Sequence, residues 1–128
     1  MHMNTAEVNS TFKMPGEKRL ALFIEAVAQS KRVFSIGDDE GWALLGDDDD
    51  TDIVPLFHHA ELAEAFRKAA NFSDCQVEEM AFEDLLAWLD DLTEDGMMVA
   101  VCPNPRFEGA ILEAEDLKQD LINKTDRQ

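Results

Sequence analysis

Five carboxylates in six positions, Asp47, Asp48, Asp49, Asp50 and Asp52, are followed closely by the imidazole pair His58-His59. Hard cations such as Ca²⁺ collect carboxylate oxygens, while Zn²⁺ and redox metals accept imidazole together with carboxylate. Asp47, Asp49, Asp52, His58 and His59 are therefore the candidate metal ligands. Their spacing opposes that chemistry. A calcium loop of the EF-hand kind needs Gly at its sixth position and an acid at its twelfth. Counted from Asp48, those positions hold Ile53 and His59. Adjacent residues on a strand point to opposite faces, so His58 and His59 do not readily meet on one ion. The expectation is a solvated, charged hairpin tip with no metal and no cofactor. On this reading Asp47, Asp48, Asp49, Asp50 and Asp52 form an interaction surface.

Nucleophilic chemistry has little support. A reactive cysteine needs a neighbouring cation, a His or a helix N-terminus to lower its pKa. Cys102 ends an apolar run in the acidic part of the chain, which raises the pKa instead, and Cys75 has no better company. Two cysteines are too few for a disulfide framework. Ser10, Ser30, Ser35 and Ser73 lie in unrelated contexts, and the chain has no G-x-S-x-G elbow, P-loop or G-x-G-x-x-G turn.

Charge narrows the partners. The net charge is −17 over 128 residues, with 28 Asp and Glu against 11 Lys and Arg. Nineteen of those acids and only two bases, Arg67 and Lys68, lie between Val33 and Pro105, so the flanks are neutral. A pI near 4.2 opposes direct binding to nucleic-acid phosphates or to anionic membranes. It favours a basic protein as partner. No segment reaches the roughly 20 apolar residues of a membrane span, and the first residues lack a signal-peptide pattern, so a cytoplasmic protein is expected. The apolar fraction of 45% is that of a globular chain.

The elements that must position these residues follow from periodicity. Residues 1–13 read as a flexible polar tail, and 14–128 as a single α+β domain. Pro15 opens a helix over 16–31, with Leu20, Phe23, Ile24, Val27 and Ala28 on one stripe. Strands are predicted at 33–36, 42–45 and 53–57, forming an antiparallel meander with acidic turns. Pro55 cannot donate to a ladder, which predicts a sheet edge or a bulge there. A helix over 59–70 and a short strand at 75–78 come next. A helix over 82–94 carries the stripe Phe82, Leu85, Leu86, Leu89 and Leu92. Trp88 falls beside that stripe, where it covers the helix flank or faces a partner, including a second copy of the chain. Gly96 stops this helix, 97–102 is an apolar strand ended by Pro103 and Pro105, and 109–112 is a last strand. A final helix over 114–123 turns Leu117, Leu121 and Ile122 inward. The sum is a mainly antiparallel sheet of about four to six strands packed with about four helices.

Several of these patterns together resemble an uncharacterised bacterial family, the domain of unknown function numbered 2750. The resemblance rests on the helix from Pro15 to Val27 and on Gly41-Trp42-Ala43-Leu44 with Asp47 to Asp49 behind it. Pro55 with Phe57, Asp95-Gly96, Val99 to Pro105, Gly109 and Leu117 complete it. It covers about residues 15 to 122 and implies a single-domain bacterial cytoplasmic protein. It brings no activity, cofactor or catalytic residue. His58 and Cys102 stand where other residue types look commoner in the family, so the resemblance assigns neither a role.

The chain thus reads as a non-enzymatic protein-interaction module using an acidic central face, of which a toxin-neutralising or nucleic-acid-mimicking inhibitor is one example. The alternative is a metal-dependent enzyme or metal-binding protein centred on residues 47–59.

Overall fold

The computed structural model describes residues 4–38, 41–46, 52–72 and 74–126. Among these residues the chain forms the helices α1 (Thr5–Lys13), α2 (Gly16–Ser30), α3 (Ala60–Ala69), α4 (Phe82–Glu94) and α5 (Ala114–Asp126). The strands are β1 (Arg32–Asp38), β2 (Gly41–Trp42), β3 (Leu45–Gly46), β4 (Asp52–Leu56), β5 (Gln76–Ala81), β6 (Met98–Val101) and β7 (Ala110–Glu113). This is the expected α+β class.

Residues 5–13 correct the expectation of a flexible tail over 1–13. Asn4 and Glu7 form a reciprocal capping box, which satisfies two otherwise orphaned donors at the helix start. Val8, Thr11 and Phe12 then recur at helical spacing and are buried. A single short stripe flanked by polar residues concealed this helix from composition.

The strands form two sheets, β2-β1-β5 and β3-β4-β6-β7. All pairs are antiparallel except β4 with β6, which run parallel in the register Pro55 to Ala100. The expected meander is corrected here. The single strand predicted at 42–45 breaks after Trp42, so β2 pairs with β1 in one sheet and β3 pairs with β4 in the other.

Pro55 supplies a physical reason for the break. β1 and β4 meet at one bridge, where Phe34 and Phe57 exchange backbone hydrogen bonds at 2.9 and 2.8 Å. In that antiparallel register the next hydrogen-bonded pair is Ile36 with Pro55, and Pro55 has no N–H to give. The Ile36 carbonyl accepts instead from the Ala43 N–H at 2.9 Å. The Pro55 carbonyl accepts from the Ser35 hydroxyl at 2.6 Å. The sheet therefore splays at Pro55, and the bent segment 41–46 fills the wedge between β1 and β4. Pro55 sits neither at an outer edge nor at a bulge but at the seam of two sheets.

Helices cover both sides of this seam. Phe57 packs on Phe66 of α3, with ring centroids 5.3 Å apart, while His58 meets Phe23 of α2 edge-on. Burial follows the same logic. β4 is buried from Ile53 to Leu56, as expected of a central strand covered on both faces, whereas β7 alternates half-buried with exposed. Phe23, Phe57, Phe66, Leu85, Leu89, Leu117 and Leu121 are fully buried in one continuous core. Burying each such side chain contributes about 1.5–3 kcal/mol.

Candidate functional site

The residues singled out by chemistry do not all gather in one place. β3 and β4 pair as a hairpin through Leu45 to Ile53 and Gly46 to Asp52, with Asp52 exposed. Asp47, Asp48, Asp49 and Asp50 lie outside the described residues. Among the described residues, no three His, Cys, Asp or Glu side chains are grouped to hold a metal ion.

His58 and His59 lie where β4 hands over to α3. His59 takes extended backbone angles as the N-cap of α3, and its Nδ1 stands 3.9 Å from Glu61 Oε2. His58 is turned inward and is only 9% exposed. Its ring is edge-on to Phe23 at 6.1 Å and to His59 at 5.6 Å. Its Nδ1 is buried without a hydrogen-bond partner. Burial, reinforced by the neighbouring His59, pushes the imidazole pKa down to about 4. At neutral pH His58 is therefore uncharged, able to bind a metal or to share one hydrogen bond. Both imidazoles line an open cleft of about 540 Å³, faced by Gln29, Ser30 and Arg32 from the α2–β1 junction. Glu79 from β5 also lines it and pairs with Arg32 at 3.0 Å.

Trp88 covers the flank of α4 and lies half-buried against Trp42 of β2, with ring centroids 4.7 Å apart. The free thiols Cys75 and Cys102 are both buried. Burial pushes the Cys102 thiol up to about 12 despite the opposing pull of Arg19. Burial, then the charges of Asp38 and Asp74, also raises Cys75. Neither environment activates a thiolate.

Sequence reasoning missed Arg19. The helical stripe was read from Leu20, yet the residue in line with Phe23 and Val27 is Arg19, one turn earlier. It is 3% exposed. Its Nε donates to the Met14 carbonyl at 3.1 Å, and its Nη1 donates to the carbonyls of Cys102 at 2.6 Å and Glu108 at 3.1 Å. Cys102 supplies its carbonyl from a left-handed conformation with φ 47°, which costs a non-glycine residue roughly 1–2 kcal/mol. An arginine in register with an apolar stripe was the available signal.

This arrangement, a splayed pair of sheets seamed at a proline and covered by helices, defines an α+β domain. Residues 20–121 match the family model described as Protein of unknown function (DUF2750), and the chain belongs to that family. No curated protein matches the chain. Among the described residues, no helix is long and apolar enough to cross a membrane.

Proposed function

We propose that this domain binds a basic protein through the carboxylates of its central segment and catalyses no reaction. The observation that carries this reading is the exposure of those carboxylates. Glu78 and Glu79 lie exposed on β5, an outer strand of its sheet, and Glu83 and Asp84 follow at the start of α4. Asp90, Asp91, Glu94 and Asp95 crowd the far end of the same helix. Negative charge there opposes the helix dipole at a cost of about 0.3–1 kcal/mol per charge. Asp90 is offset by Lys118 at 2.6 Å. Of the two bases in the segment, Arg67 is held by Glu64 at 2.6 Å. A field of one sign steers an oppositely charged partner and speeds association. The test is capture of binding proteins on the immobilised domain at about 50 mM and 500 mM salt, beside a Glu78→Lys, Glu79→Lys, Glu83→Lys variant. The expected partner is basic, is released by salt and does not bind the variant. Binding indifferent to both salt and charge reversal overturns the reading.

One observation favours the metal-dependent alternative centred on Asp47, Asp49, Asp52, His58 and His59: the orphaned Nδ1 of His58. That reading expects saturable, stoichiometric heat on titration with Zn²⁺, lost in His58→Leu. Weak and equal responses to Mg²⁺ and Ca²⁺, with none specific to Zn²⁺, sink it.

A further inference from the structure

A second cleft, of about 790 Å³, lies between the start of α2 and the turn from Asn104 to Gly109. Its lining inverts the character of the chain. Lys13, Arg19 and Arg106 border it with a single acid, Glu108, in a protein where acids outnumber bases 28 to 11. The guanidinium of Arg19 is the fixed element. Three carbonyls hold it in place, yet no carboxylate among the described residues neutralises it, and its Nη2 makes no hydrogen bond to any of them. A guanidinium held only by neutral groups lacks a counter-charge, and an anion is its natural complement.

The start of α2 points the same way. Its N-cap is Pro15, which supplies no side-chain acceptor. The Pro15 carbonyl takes the N–H groups of Lys18 and Arg19, whereas those of Gly16 and Glu17 meet no acceptor among the described residues. Free N–H groups at the positive end of a helix dipole form an anion-binding surface. Gly16 sets the helix end close against the facing turn, and Gly109 lets that turn fold tightly back on Pro103. A Cβ on Gly16 would lie 3.2 Å from the Ala110 nitrogen, and one on Gly109 would lie 3.1 Å from Pro103 Cα. Asn104 shapes the turn, its Oδ1 accepting from the N–H groups of Arg106 and Glu108. Its Nδ2 donates to Glu108 Oε1 at 3.0 Å, which engages the one carboxylate of the lining.

We infer that this cleft is a binding site for a phosphate group, seated between the Arg19 guanidinium and the first turn of α2 and flanked by Lys13 and Arg106. Three cations around one cleft suit a dianionic phosphate better than a single carboxylate, and the volume accommodates a phosphorylated small molecule. The site is independent of the acidic surface proposed above and of the histidine cleft.

The test is an amide and guanidinium NMR titration of the full chain with inorganic phosphate, with O-phosphoserine as a phosphomonoester, and with acetate. The expected result is saturable shifts at Gly16, Glu17 and the Arg19 side chain with either phosphate source, at least tenfold tighter than with acetate. The tighter of the two phosphate probes identifies the source as free phosphate or an ester. Lys13→Ser with Arg106→Ser removes two surface charges and is expected to weaken binding at least tenfold without altering thermal stability. Arg19→Lys, which keeps the charge but not the fork, is expected to abolish the saturable shifts. If that variant does not fold, the surface pair still decides the matter. Linear, unsaturating shifts spread over every exposed base overturn the inference. So does an affinity unchanged in the Lys13 and Arg106 variant.

Discussion

Replacing His58 by leucine isolates one buried ionisation. In the folded chain burial, then the neighbouring His59, holds the His58 pKa at about 4, against an unfolded value of 6.5. Folding depresses this pKa, so between those two values the unfolded chain binds the extra proton. Stability from this site is therefore complete above about pH 6.5 and is lost as the pH falls toward 4. The full shift corresponds to about 3 kcal/mol, of which about 2.5 kcal/mol is gone by pH 4.5. The rest of the chain contributes a pH dependence of its own, common to both proteins. The difference between wild type and His58→Leu removes that shared background. The variant also removes the orphaned Nδ1, so at pH 7.5 it is expected to match or exceed the wild type. Urea denaturation of both proteins at pH 7.5 and 4.5 measures the effect. The wild type should lose about 2–3 kcal/mol more than the variant, or roughly 8–12 °C in melting temperature for a chain of this size. Parallel losses in the two proteins would refute a buried neutral imidazole.

Three further outcomes are expected. Ser35→Ala leaves the buried Pro55 carbonyl without its 2.6 Å donor and should cost about 1–3 kcal/mol in urea denaturation, whereas a cost near zero argues against the seam described above. Gly109→Ala places a methyl group 3.1 Å from Pro103 Cα and 3.3 Å from the Val101 carbonyl oxygen, both rigid backbone, and should destabilise by about 1–3 kcal/mol; an unchanged melting temperature contradicts that close approach. Both thiols should resist a colorimetric thiol reagent at pH 8 in the native protein and react in denaturant, because Cys75 is buried and Cys102 is pushed up to about 12. One equivalent reacting at the rate of a free thiol in the native state would contradict this.

Helical periodicity was legible wherever an element was long enough to repeat its pattern. α4 runs from Phe82 to Glu94, as its leucine stripe predicts, and α2 and α3 differ from expectation by a residue or so at their ends. The short strands β1, β4, β6 and β7 also fall within a residue or two of expectation, whereas α1 was not legible. α1 carries one stripe, and its capping box from Asn4 to Glu7 is an equally local signal set in a polar stretch. Trp88 stood off its stripe for a reason that lies on another element, since its partner Trp42 is far away in sequence. Arg19 went unassigned because residue type outweighed its place in line with Phe23 and Val27. What keeps it buried is three carbonyls, two of them from residues 102 and 108.

The amino-acid sequence alone determined the α+β class, the acidic character concentrated between Val33 and Pro105, the family resemblance and the unsuitability of Cys102 as a nucleophile. These depend on composition, periodicity and local dihedral preference, which act within a few residues. Tertiary structure decided which strand followed which partner. The missing N–H of Pro55 matters only because Ile36 of another strand lies opposite, and that pairing diverts Ala43 into the gap. It also decided that one arginine of an acidic chain is buried at a helix start, while burial lowers the proton affinity of His58. Burial and charge at these sites are set by residues distant in the chain, so their chemistry exists only once the fold brings those residues together.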